Sequence, residues 1–273
     1  MTMNQDLTPT PVSNKSAYDT AYKPHLLLID GDVLMHLIGR ASERKTRWED
    51  GMWSWYADET EATLIMDNYV QKLKDRFDTD KVVMTISSKT NFRHSVFPDY
   101  KLSRSKSDSY EPLLKGFLRK YMLNNWESFM YNDLEADDVM GILMTDDAWC
   151  PEYEKVILTI DKDLNTIAGW HYNLTSGDYY YVTEEEADAM FYKQCLMGDR
   201  VDDIPGCPTY GEKTAEKALD KADPGEEWST IVKAYNSKNL DEDYALTQAR
   251  LVRILRVSDF SYETMQPILW SPE

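Results

Sequence analysis

Three short stretches constrain this chain most: His25–Asp30 (HLLLID), Lys81–Ile86 (KVVMTI) and Lys155–Ile160 (KVILTI). Each is apolar without alternation. A strand with one wet face alternates apolar and polar residues, so such runs read as strands buried on both faces, as in a parallel sheet. The intervening segments have helical spacing. Val33–Ile38 opens a helix, Glu59–Arg76 aligns Ala62, Ile65, Met66, Tyr69, Val70 and Leu73, and Tyr110–Leu123 aligns Leu113, Leu114, Phe117, Leu118 and Tyr121. Shorter strands are expected at Glu127–Tyr131, His171–Leu174 and Tyr179–Val182. Strands alternating with helices predict an α/β fold with a mostly parallel sheet. Helices take over at Glu184–Gly198, from Gly211, at Glu226–Tyr235 and at Asp241–Val257. Residues 1–23 are polar and without period, and read as a disordered arm.

Ligands of such sheets bind beyond the carboxyl ends of the strands, and acids gather there. Asp30 and Asp32 follow the first strand, and Asp161 and Asp163 follow the third. Leu134–Gly141 (LEADDVMG) puts Glu135, Asp137 and Asp138 into the first turn of a helix with apolar Val139, Met140, Ile142 and Leu143. One acid at a helix N-terminus is favoured by the partial positive charge there. Three crowded acids repel one another, and a divalent cation compensates them best. Asp199, Asp202 and Asp203 follow the helix that ends near Gly198. Mg²⁺ takes oxygen ligands, and a pair of such ions can activate water and stabilise the leaving oxygen of a phosphodiester. The four histidines form no cluster, and Cys150, Cys195 and Cys207 lack metal spacing. The candidate ligands are therefore Asp30, Glu135, Asp137, Asp138, Asp161, Asp163, Asp199 and Asp202. Asp32 and Asp203 serve equally well as cap or turn residues.

The net charge of −18 argues against a polyanionic partner when taken alone. Its distribution reverses that inference. Between Lys89 and Tyr121, Lys89, Arg93, Lys101, Arg104, Lys106, Lys115, Arg119 and Lys120 face only Asp99, Asp108 and Glu111, a net +5. Such segregation fits a binding surface. A second candidate contact is the glycine-bearing turn between two helices, where Gly206, Gly211 and Lys213 suit phosphate binding through exposed N–H groups. No apolar run approaches the ~20 residues of a membrane span. The N-terminus lacks an export pattern, and the odd number of thiols fits a reduced, cytoplasmic setting.

Together these pieces resemble the 5′-nuclease (flap endonuclease) superfamily, and within it the 5′→3′ exonucleases of short-tailed bacteriophages. The residues that carry the likeness are LLLID followed by Gly31, Asp99-Tyr100-Lys101 with Arg104, LEADDVMG, ILTIDKD at 157–163, MGDRVDDIPG at 197–206, Gly211-Glu212-Lys213, the run Ala249–Arg256, and Ile268-Leu269-Trp270. The resemblance implies a PIN-like core over residues 24–183, with an arch at 89–124. A helix–three-turn–helix element and a helical C-terminal region would occupy 184–273. It implies one Mg²⁺ on Asp30, Glu135, Asp137 and Asp138, a second on Asp161, Asp163, Asp199 and Asp202, and Mn²⁺ as a substitute. Tyr100, Lys101 and Arg104 would stand at the base of the arch, with Lys101 and Arg104 acting in catalysis. Arg93 and the Gly206, Gly211 and Lys213 clamp would bind DNA. The implied substrate is duplex DNA with 5′ ends or flaps, extending to RNA–DNA hybrids in primer removal. The implied protein is a monomer acting in the cytoplasm of an infected bacterial host. Two positions depart from the family pattern. Thr209 stands where relatives often have glycine. Alignment through Asn91-Phe92-Arg93 sets Ser88 where the second strand usually ends in aspartate, so either this lineage works with fewer carboxylates or the residue has been replaced.

Two other functions compete. Asp30-Gly31-Asp32 after a strand, Ser87 or Ser88 after the next, and Gly198-Asp199 with Asp203 resemble a phosphatase of the haloacid-dehalogenase type, with Asp30 as nucleophile. That leaves LEADD, the basic segment and the glycine turn without a task. A DNA-structure-binding protein with cleavage impaired at Ser88 is the other.

Overall fold

The computed structural model describes residues 23–104 and 110–272. All of the expected arm except Lys23, together with Lys106 and Asp108 of the basic segment, lies outside the described residues. In chain order the elements are β1 (His25–Asp30), α1 (Gly31–Ala41), β2 (Glu43–Arg47), β3 (Trp53–Ala57), α2 (Glu59–Phe77), β4 (Val82–Thr85), α3 (Arg93–Val96), α4 (Lys115–Asn125), β5 (Ser128–Phe129), α5 (Ala136–Thr145), β6 (Glu154–Thr159), β7 (Gly169–Asn173), β8 (Tyr179–Val182), α6 (Glu184–Met197), α7 (Glu212–Leu219), α8 (Glu227–Asn236), α9 (Glu242–Val252), β9 (Phe260–Ser261) and β10 (Gln266–Pro267).

The central sheet has six strands in the order β5-β4-β1-β6-β7-β8. All neighbours run parallel except β8 against β7. The unbroken apolarity of β1 now has its cause. Leu27 and Ile29 enter the core beneath α1, α2 and α4, whereas Leu26 and Leu28 enter the opposite core under α5 and the C-terminal segment around Ile254, Leu255 and Phe260. Burying each of these leucines contributes ~2 kcal/mol. A third core joins α6, α7, α8 and α9 through Phe191, Leu196, Ile204, Ala215, Ile231, Tyr235 and Ala249. The α/β class and its mostly parallel sheet stand as the sequence predicts.

Two helix bounds differ from expectation. The helix expected from Tyr110 starts at Lys115; Pro112 disfavours helical backbone at Glu111, which keeps the chain before it out of the helix. The last helix stops at Val252 rather than Val257. Beyond it the chain extends, and the Leu255 N–H donates to Asp138 3.2 Å away. The antiparallel β2–β3 hairpin was not legible as strand, since its residues mix charge and aromatics without an apolar face.

The turn between α6 and α7 depends on two glycines that face each other. Gly198 and Gly206 have φ of 63° and 66°. A Cβ on Gly206 would lie 2.4 Å from the Gly198 nitrogen. That closeness lets Asp199 and Ile204 exchange backbone hydrogen bonds of 2.9 and 2.7 Å. Gly206→Ala should therefore destabilise the protein by about 2 kcal/mol or more, from positive-φ strain and steric overlap. Gly116→Ala, in α4 with open space around it, should stabilise by roughly 0.5 kcal/mol. Urea unfolding of both variants checks the contrast.

Candidate active site

The carboxyl ends of β1, β4 and β6 meet the N-terminus of α5 around a cleft of about 280 Å³. Asp30, Asp32, Ser87, Glu135, Asp137 and Asp161 line it, together with Lys101, Arg104 and, on α1, His36. Sequence neighbours do not explain this gathering; strand order does, because β4, β1 and β6 are adjacent.

Asp30 ends β1 and caps α1: one carboxylate oxygen accepts from the Val33 N–H at 3.0 Å and the other from the Thr159 hydroxyl at 2.8 Å. Burial raises its pKa to about 7, with Asp32 and Asp161 adding to the rise. Burial likewise pushes Asp137 well up, reinforced by Asp30 and Asp161. A second acidic group adjoins. Asp163 is raised to about 6 by burial, then by Asp161, Asp199 and Asp202, while Gln194 donates to it at 2.7 Å. Asp199 accepts from the Val201 N–H. Burial also raises Asp202, against the pull of Lys101 and Arg104.

Cations from the basic segment bridge the two groups. Lys101 pairs with Glu135 and lies 3.4 Å from Asp202, and Arg104 pairs with Asp202. The Tyr100 hydroxyl donates to Glu135 at 2.8 Å. Burial opposes ionisation of Glu135, yet Arg93 and Lys101 hold its pKa down to about 2. Lys101 itself has φ of 54°, a conformation costing ~1 kcal/mol or more at a non-glycine residue. Its N–H donates to the Asp202 carbonyl at 2.9 Å, and the Ser103 N–H donates to Asp203 at 2.7 Å. The Tyr100–Arg104 step is thereby fixed to the turn after α6.

Four expectations need correction. Asp138 does not face the cleft. It is 0% exposed and held by the Arg93 guanidinium through bonds of 2.7 and 2.8 Å. It also accepts from the N–H groups of Glu135 and Leu255. Arg93 is equally buried, donates to the Leu251 and Arg253 carbonyls, and so is no DNA-facing cation. The buried N–H of Gly206 donates to Gln248 at 2.9 Å, which removes it from a phosphate clamp. The strand-end residue on the cleft is Ser87 rather than Ser88; Ser87 accepts from the Ala136 N–H at 2.9 Å, while the Ser88 hydroxyl accepts from Thr90. The Gly211 N–H bonds to its own helix at Thr214, and Lys213 is exposed. Thr159 and Gln194 were missed, and Ser87 was weighed only as the phosphate-binding hydroxyl of a phosphatase. Thr159 stands two residues before Asp161, a weak signal; Gln194 carries none.

Among the described residues no three acidic, histidine or cysteine side chains already converge as a cage for a metal ion. The donor chemistry nonetheless suits a hard divalent cation: carboxylate oxygens, raised proton affinities, and no imidazole or thiolate in the acid groups. Glu135 and Asp202 are turned toward cations of the protein itself.

Residues 25–194 match the family described as 5′-3′ exonuclease, N-terminal resolvase-like domain. The chain is 24% identical to an exodeoxyribonuclease of Enterobacteria phage T3, over 90% of this chain and 93% of that protein. It is 25% identical to an exonuclease of Escherichia phage T7, with the same two coverages, 90% and 93%. In three dimensions it is similar to the flap endonuclease of bacteriophage T5 in a complex with DNA and metal ions, with TM-score 0.64, 15% identity, and coverage of 84% of this chain and 88% of that one. That last likeness bears on the fold.

The geometry separates two neighbouring aspartates. Asp138→Asn breaks a buried ion pair and should cost ~3–5 kcal/mol; Asp137→Asn relieves repulsion and should leave the metal-free protein at pH 8 as stable or more so. Asp30 and Asp163 retain protons in the folded state that the unfolded chain has lost. From these groups, the metal-free stability should be greatest below about pH 4 and decline as pH rises to about 7. Melting temperatures in chelator from pH 4 to 8 check this, and Asp30→Asn should flatten the decline.

Proposed function

This chain belongs to the 5′-3′ exonuclease family, and from that premise we propose that it hydrolyses phosphodiesters near the 5′ end of duplex DNA, using Mg²⁺ or Mn²⁺. One observation carries the proposal: a single cleft is lined by Asp30, Glu135, Asp137 and Asp161 together with Lys101 and Arg104. The phosphatase alternative falls with the family match.

Asp30, Glu135 and Asp137 would hold one cation, and Asp161, Asp163, Asp199 and Asp202 another. Asp138 belongs to neither set. Ions bound there supply Lewis acidity and neutralise charge during attack by water. Lys101 and Arg104 rest on Glu135 and Asp202, so a phosphate entering the cleft competes with those carboxylates for both cations. The two side chains then orient the phosphoryl oxygens, and Tyr100 keeps Glu135 in place. Water displaces the 3′ oxygen, which leaves a 5′-phosphate and a 3′-hydroxyl. Residues 24–183 would form the nuclease core; of the segment expected as an arch, α4 packs into that core through Leu118 and Met122, while the Lys101 and Arg104 side chains reach the cleft. Residues 184–273 bind the duplex, with Lys213 and the first turn of α7 on a phosphate. RNA–DNA hybrids of replication primers fit the same chemistry, in a monomer acting in the cytoplasm of a phage-infected cell.

Cleavage of a 5′-labelled duplex and of a matching flap should vanish in EDTA and return with Mg²⁺ or Mn²⁺. Asp137→Ala should abolish cutting while retaining DNA binding. Lys101→Ala should slow cleavage by roughly 10²-fold with little loss of affinity. Lys213→Ala should weaken binding and lower the salt slope by about one. Full activity of Asp137→Ala, or identical behaviour of the two lysine variants, would contradict the assignment.

A further inference from the structure

The β2–β3 hairpin has no part in the chemistry above, yet its composition is unusual for this chain. Register pairs Arg47 with Trp53 and Lys45 with Trp55. Partners opposite one another in a ladder share a face, so Lys45 and Arg47 of β2 lie across from Trp55 and Trp53 of β3 on one face, with Glu43 and Ala57 at its end nearer α1. Lys45 lies 4.2 Å from the Trp55 ring centre and Arg47 lies 5.9 Å from that of Trp53. The ladder continues past the hairpin. Tyr110 packs edge-on against Trp55 with centroids 4.6 Å apart, and Arg40 of α1 lies 5.4 Å from the Tyr110 ring.

The position of this ladder is informative. His36 lines the catalytic cleft, and Arg40 follows it one helical turn along α1, about 6 Å away. A cation–aromatic track therefore runs from the cleft through Arg40, Tyr110 and Lys45 to Trp55, Arg47 and Trp53. A hairpin stabilised only by its own contacts would cover its rings. Here Trp53 is 59% exposed and Trp55 41%. Exposed aromatics interleaved with cations fit single-stranded nucleic acid, whose bases stack on rings while its phosphates meet the cations. A duplex offers few unstacked bases to such a track.

We propose that the β2–β3 hairpin with Tyr110 and Arg40 is a binding track for the single-stranded 5′ extension of the substrate. The proposal rests on the nuclease reading, because the cleft gives the track its direction. The test measures affinity in EDTA by fluorescence anisotropy for a blunt duplex and for the same duplex bearing a 5′ oligothymidylate tail. Trp53→Ser should lower the tailed-to-blunt affinity ratio about ten-fold, the value of roughly one stacked base. Trp53→Phe should restore most of it. Arg47→Ser should lower the salt slope for the tailed substrate by about 0.7. An unchanged ratio in Trp53→Ser, an equal loss for both substrates, or a concentration-dependent dimer of the parent that Trp53→Ser abolishes with the ratio intact would overturn the track. Cleavage of the blunt duplex by the parent with Mn²⁺ judges the nuclease reading separately, since the affinities are taken without metal.

Discussion

The buried pair of Arg93 and Asp138 holds the molecule together at the point where its parts meet. Asp138 belongs to the first turn of α5, Arg93 starts α3, and the guanidinium also donates to two carbonyls at the end of α9. Three sequence-distant segments are thus tied at one ion pair. Burying two charges costs several kcal/mol each, repaid only when their hydrogen bonds are satisfied. Here they are, because Asp138 also accepts from Glu135 and Leu255. Close approach of the C-terminal segment to α5 depends on Gly141, where a Cβ would lie 2.4 Å from the Leu255 carbonyl oxygen. The same contact that closes the core therefore fixes the backbone of Glu135 and aims its side chain at the cleft.

From that fixed point the site is an electrostatic balance. Glu135 and Asp202 pair with Lys101 and Arg104, whereas burial and neighbouring acids make Asp30 and Asp137 resist ionisation. The cleft is built to have charge added to it. Lys101 is held between both acidic groups in a strained backbone conformation, a combination typical of functional positions.

Much of this was legible from residues. Strands buried on both faces announce themselves by unbroken apolarity, so HLLLID and KVILTI alone place Asp30 and Asp161 at the carboxyl ends of two such strands. Asp138 was misread for a physical reason. In LEADDVMG, Asp137 and Asp138 are adjacent, and adjacent helical residues point about 100° apart. One faces the cleft and the other the interior, but nothing local says which, because the deciding partner, Arg93, is 45 residues away. Gly206 was misread similarly: its N–H is taken by Gln248, 42 residues on. Ser87 and Ser88 are adjacent just beyond β4, so a one-residue alignment slip exchanges cleft for loop. Local pattern reports what a residue can do; distant partners decide what it does.

A chain of net charge −18 that binds a polyanion has to defeat its own field. Screening removes much of the problem, since at physiological salt the Debye length is about 8 Å and distant surface acids are scarcely felt. Acids at the cleft are within that range and cannot be screened away. Their repulsion falls only when cations neutralise them, and those cations also attract phosphate. In the proposed function, cation binding and nucleic-acid binding are coupled through the same carboxylates, and coupling of this kind is reciprocal. Cations placed by the protein itself, at Lys101, Arg104 and along the hairpin, would attract phosphate in the proposed function where bound ions do not reach. The acidic composition that first argues against a nucleic-acid partner is thus the condition for making the affinity depend on the ions that chemistry requires.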